Sequence, residues 1–146
     1  MDIEHLNAIA DQLAVRTVLD EYSLRLEIDE FDRWLDLFTD DTVYDVFGRS
    51  LVGREAVAAM LSQAPHGVHL GGASRIVISG DEADTVQNYV FVSTSSDEWN
   101  IGWYHRKLVR QDGVWKIAHT RVKLGRKDPM PQNDRARHVT YPIRFA

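Results

Sequence analysis

Residues 22–38, YSLRLEIDEFDRWLDLF, read as the end of one amphipathic helix, a tight corner and a second short helix. Leu19, Tyr22, Leu26 and Asp29 follow one another at spacings of three, four and three, which places them on one helical face. That face is otherwise apolar, so it points at a core. A carboxylate at the inner end of an apolar stripe must be paired, desolvated at a cost, or used in chemistry. Asp29 is therefore the first candidate functional residue. A structural role competes with it, because Asp29-x-x-Asp32 has the form of an N-cap for the second helix, and the two roles are compatible.

Working outward, Leu6, Ile9 and Leu13 join Leu19, Tyr22 and Leu26 at helical spacing and predict a first helix over 6–28. Phe31, Trp34, Leu35 and Phe38 predict the second over 30–38, ended by Thr39-Asp40-Asp41. Residues 42–47 alternate and are rich in β-formers, Gly48-Arg49 offers a turn, and residues 50–52 can pair back. Gly53 then opens a third helix over 54–61. Beyond Pro65 strands are expected over 69–78, 84–94, 99–111 and 114–124. Gly71-Gly72 predicts a bulge or bend in the first of these, and Asp112-Gly113 a hairpin between the last two. Three helices followed by a long meander predict an α+β fold. The helices pack on one face of a strongly curved, mostly antiparallel sheet, rolled into a half-open cone around an apolar small-molecule pocket. The cone domain is expected over 1–125. Residues 126–146, mixed in charge and interrupted by prolines, form a tail expected to lie on the domain or on a neighbouring subunit.

Composition bounds the function. A chain of 146 residues with 44% hydrophobic residues suits one domain with a sizeable core. No cysteine is present, which removes disulfides, thiolate catalysis and cysteine-based zinc sites. His66-x-x-His69 alone is too few ligands for a metal, and neither metal nor cofactor is expected. No apolar run approaches a membrane span and no secretory leader pattern opens the chain, so a cytoplasmic location is expected. Net charge is −5, with 14 acidic against 5 basic residues over 1–60, and 7 basic against 2 acidic over 121–146. The basic surplus sits on the tail without a recognition motif, so nucleic-acid binding is not expected.

The corner EIDEFDRWLDLFTDDTVYDVFG, the segment VHLGGASRIVI and the hairpin LVRQDGVWKIAH resemble the nuclear transport factor 2-like superfamily over roughly residues 8–124. Within it they resemble the SnoaL-like branch that contains scytalone dehydratase and hexachlorocyclohexane dehydrochlorinase. In those lyases a histidine in the segment after the third helix pairs with an aspartate at the end of the first. The matching positions here are His69 and Asp29. The resemblance further implies Arg110 as a basic site residue from the hairpin strand, and Tyr22 and Tyr44 as tyrosines that hold water or substrate.

A His–Asp pair is a general base with an orienting partner, the carboxylate fixing the tautomer and supporting the imidazolium that forms. The reading is a cofactor-independent lyase, of dehydratase or dehydrohalogenase type, acting on a small, hydrophobic, uncharged cyclic molecule. Two alternatives stand beside it: a steroid- or polyketide-type isomerase or cyclase using the same base, and a non-catalytic ligand-binding or dioxygenase β-subunit-like module. His66 is expected in an exposed loop. His105 or His119 lines the cone if its side of the sheet is the concave one. Trp34, Phe38, Trp103 and Trp115 are expected to serve packing. Tyr104, Leu108, Trp115 and Val122 alternate with charge on the later strands and are expected on the outer sheet face, where they would support a homodimer or homotrimer.

Overall fold

The computed structural model describes residues 2–129. Its elements are α1 (Ile3–Glu27), α2 (Phe31–Leu35), β1 (Phe38–Val46), β2 (Arg49–Val52), α3 (Arg54–Leu61), β3 (Gly67–Ser79), β4 (Glu82–Ser93), β5 (Glu98–Gln111) and β6 (Val114–Pro129). The six strands form one open sheet in the order β2-β1-β6-β5-β4-β3. Only the β1–β6 pairing is parallel; the rest are antiparallel. The helices cover one face, which makes the expected α+β cone.

The glycine signals locate its bends. The register of β3 against β4 shifts between Gly71 and Ser74, so two residues of β3 oppose one of β4, as the glycine pair predicted. Two of the three two-residue hairpins among the described residues place consecutive residues at positive φ, Phe47-Gly48 at 50° and 74° and Asp112-Gly113 at 51° and 79°. The strand expected to end at Leu124 continues to Pro129, paired with Glu98 of β5. The sheet therefore reaches past the expected domain boundary at residue 125, while 130–146 lie outside the described residues. No described helix is long and apolar enough to cross a membrane.

Three expectations are corrected. Leu6, Ile9 and Leu13 are exposed, because the buried stripe of α1 runs through Val15, Leu19 and Tyr22 and its extension toward the N-terminus meets Asp11 instead. The second helix is only Phe31–Leu35, and Phe38 to Asp41 belong to β1. The two sheet faces are the reverse of the expected assignment. Tyr104, Leu108 and Trp115 are buried in the core, whereas Trp103 is 44% exposed on the other side. The surface on which an oligomer was expected therefore faces inward and is already covered by the helices.

Candidate functional site

Between the helices and the concave sheet face lies a cavity of about 180 Å³. Its walls come from every layer: Tyr22 and Leu26 of α1, Trp34 of α2, Tyr44 of β1, Met60 of α3, His69 of β3, Tyr89 and Phe91 of β4, and Tyr104 of β5. Apolar and aromatic walls with a few convergent polar groups are the usual make-up of a small-molecule site.

Four phenols meet there. The Tyr22 and Tyr44 hydroxyls share a buried hydrogen bond of 2.6 Å. Tyr104 meets the Tyr22 ring edge-on at 5.3 Å between centroids, and Tyr89 stacks on Tyr104 at 4.4 Å. Burial, then the neighbouring Tyr22 phenol, holds Tyr44 and Tyr104 well above the ordinary phenol range. The same causes push Tyr89 up to about 12. These groups remain protonated at neutral pH and can donate hydrogen bonds.

His69 brings an imidazole to the cavity wall. Its backbone N–H donates to the Glu27 carboxylate at 2.8 Å, tying the end of α1 to the start of β3. Its ring packs on Phe91 at 4.7 Å. Nδ1 is buried and has no hydrogen-bond partner among the described residues. Burial, and then the positive charge of Arg106, lowers its pKa from 6.5 to about 4, so the imidazole is neutral at physiological pH.

Asp29 does not complete the pair. The helical face on which it was placed ends at Glu27, and Ile28 is the C-cap. Asp29 follows with φ 58° and Glu30 N–H returns to the Arg25 carbonyl at 2.9 Å, a Schellman end in which Asp29 occupies the left-handed position. That turn leaves its side chain exposed, outside the cavity wall and without a hydrogen bond to His69. It is not the cap of α2 either, since Glu30 takes that position without a side-chain bond.

Arg110 is also elsewhere. Both terminal nitrogens bind Asp11, at 2.8 and 2.9 Å, Nε binds Asp81 at 2.9 Å, and the guanidinium lies over Trp115. It clamps α1 to the β3–β4 turn and is not part of the cavity wall. His119 lies 2.6 Å from Asp45, and His105 is exposed opposite Arg121 in the sheet. Neither lines the cavity, whereas His66 is exposed yet stands at its edge. Tyr22, Tyr44 and His69 are the expected site residues that the structure brings together.

Sequence reasoning missed Arg106. This side chain is 1% exposed and reaches under the phenols, its guanidinium carbon 3.9 Å from the Tyr22 centroid and 4.0 Å from that of Tyr104. Nη1 donates to Gln87 Oε1 at 3.0 Å, while Nε and Nη2 are buried without partners among the described residues. The available signal was an arginine between Tyr104 and Leu108 at alternate positions of one strand, which is unusual if that face is a core. Among the described residues no three His, Asp or Glu side chains converge as a metal site would require.

The model of the family described as the SnoaL-like domain matches residues 7–121. No curated protein matches the sequence. Several solved structures share the fold. A scytalone dehydratase-like protein of Novosphingobium aromaticivorans DSM 12444 is 19% identical, with 84% of this chain and 89% of that chain covered at a TM-score of 0.75. A single-residue variant of Rv3472 from Mycobacterium tuberculosis, a protein of unknown function, is 23% identical, with 86% and 78% covered at 0.74. The hexachlorocyclohexane dehydrochlorinase LinA-type3 of Novosphingobium barchaimii LL02 is 17% identical, with 88% and 95% covered at 0.78. At these identities the likeness is one of fold.

Proposed function

Because the chain belongs to the SnoaL-like family, with the nuclear transport factor 2-like fold, we propose that its cavity is the active site of a cofactor-independent lyase or isomerase. One observation carries the reading: a neutral, half-buried imidazole, its Nδ1 without a partner among the described residues, shares the wall of an apolar cavity with hydrogen-bonded phenols.

His69 accepts a proton from a substrate carbon. In a lyase, the electrons of that C–H bond form the new double bond while the leaving group departs from the adjacent carbon with its own pair. The Tyr22–Tyr44 couple donates a hydrogen bond to the departing group. In an isomerase no group leaves, and the protonated His69 returns the proton to another carbon of the same enol system. A base whose conjugate acid titrates near 4 is weak, so the abstracted proton must be acidic or its loss concerted with departure. The cavity, of about 180 Å³, has room for about one ring, or two fused, compared with the engineered cavity of about 150 Å³ that holds benzene. The resemblances to a scytalone dehydratase-like protein and to a dehydrochlorinase support elimination as the reaction class.

A second reading, a ligand-binding module without chemistry, is favoured by the absence of a carboxylate partner for the His69 ring among the described residues. Hydroxylated, halogenated and keto-cyclic compounds offered to wild type and His69→Ala, with products read by mass, separate the two. Loss of base catalysis costs about 10²–10⁴ in rate. A substrate turned over equally by His69→Ala refutes the mechanism. Ligands bound alike by both proteins, with no product from either, favour the binding module.

A further inference from the structure

The buried charge of the site is unbalanced. Arginine keeps its proton in proteins, and Arg106 is 1% exposed with no carboxylate in salt-bridge contact among the described residues. Its nearest polar partner is the neutral Gln87 amide, and two of its three nitrogens have none. The rings of Tyr22 and Tyr104 offset part of the desolvation through their faces. A buried cation with no counter-charge still costs several kcal/mol. Both rings also line the cavity, so the charge lies one aromatic ring away from the space a ligand would fill.

We infer that the cavity selects a monoanionic ring compound, carrying a carboxylate or an enolate-type oxygen, whose charge Arg106 balances from beneath Tyr22 and Tyr104. This rests on the cavity being the substrate site, and it replaces the uncharged ligand expected from the sequence. The anion also bears on the base. Arg106 is one of the two causes that lower the pKa of His69, so a bound negative charge opposes that effect and makes His69 a stronger base when the substrate is in place. The enzyme would thus hold a weak base while empty and a stronger one when loaded.

The test uses three ring probes of nearly equal size: benzoate, benzamide and benzylammonium, titrated calorimetrically into the full chain at pH 7. Two opposite charges roughly 7 Å apart at an effective dielectric constant near 20 would give about fiftyfold in affinity, and solvent screening reduces this. Benzoate is therefore expected to bind at least tenfold more tightly than benzamide, with benzylammonium weakest. Arg106→Met should bring benzoate and benzamide within about threefold, and Arg106→Lys should keep a reduced preference. A measurement on the wild type needs no variant to fold: the His69 ring titration, followed by NMR, should move to higher pH with benzoate and stay in place with benzamide. Adding 4-nitrophenolate at pH 8.5 separates the two anion types, since preference for it over benzoate marks an enolate-type oxygen and the reverse a carboxylate. Equal binding of benzoate and benzamide overturns this inference while leaving the cavity as a site. Failure of all the probes to bind at millimolar concentration overturns the cavity reading and this inference with it.

Discussion

The half-buried imidazole makes a prediction about stability that requires no substrate. His69 titrates near 6.5 when unfolded and at about 4 when folded. Between these values the unfolded chain binds a proton that the folded one refuses, so stability falls as the pH falls. The contribution is fully present above 6.5 and is lost progressively down to about 4. From these two pKa values, linkage gives a loss of about 2 kcal/mol between pH 7 and pH 5. Urea unfolding followed by tryptophan fluorescence should show this as a difference between wild type and His69→Gln. The variant should become relatively more stable by about 2 kcal/mol over that interval, while the carboxylates common to both cancel. In turnover, the acidic limb of kcat/KM for an uncharged substrate should lie near 4 and not near 6.5. A difference that stays flat within about 0.5 kcal/mol from pH 7 to 5 would refute the neutral imidazole and the base built on it.

Tyr44→Phe removes the 2.6 Å bond and leaves the Tyr22 hydroxyl unpaired in the core, so thermal or urea unfolding should show a loss of about 1–2 kcal/mol. Gly102→Ala should cost about 2–4 kcal/mol by the same assay, because its Cβ would fall on the carbonyl oxygen of Lys123 in the paired strand, where only backbone can yield. Asp29→Gly relieves a non-glycine residue at φ 58° and should stabilise the chain by about 0.5–1 kcal/mol. With a substrate in hand, the same variant should retain turnover within about threefold; a loss in the range of the general-base term, about 10²–10⁴, would return the carboxylate to the mechanism.

What was legible in the sequence was what local chemistry fixes. Glycine pairs and Asp-Gly located the bulge and a hairpin, and apolar periodicity located every element to within a few residues. The helix-then-meander order gave the cone, and the resemblance to the SnoaL-like branch picked out His69, which lines the cavity. The failures share a different cause, since each needed to know what lies across the gap. The face of α1 was extended by two residues past Glu27, where a left-handed residue turns the chain. In β5, Trp103 and Tyr104 give both strand faces an aromatic residue, and His105, Arg106 and Lys107 give both faces charge. Alternation alone therefore did not distinguish inside from outside. Arg110 came from the resemblance alone, whereas the fold uses it to hold α1 through Asp11.

The same inversion of the sheet faces changes the chemistry of the site. With Tyr104 and Leu108 outside, the cavity would be an apolar space whose only notable groups were a His–Asp pair, and the pair would carry an imidazolium through its own carboxylate. With them inside, Arg106 arrives on the same face and the electrostatics reverse. The cationic partner is buried and permanent, the acidic partner is exposed, and the histidine is held neutral. A site of that sign stabilises negative charge that develops on a substrate and resists building positive charge on its base. Under the proposed mechanism, a negatively charged substrate strengthens the His69 base in place of the exposed Asp29.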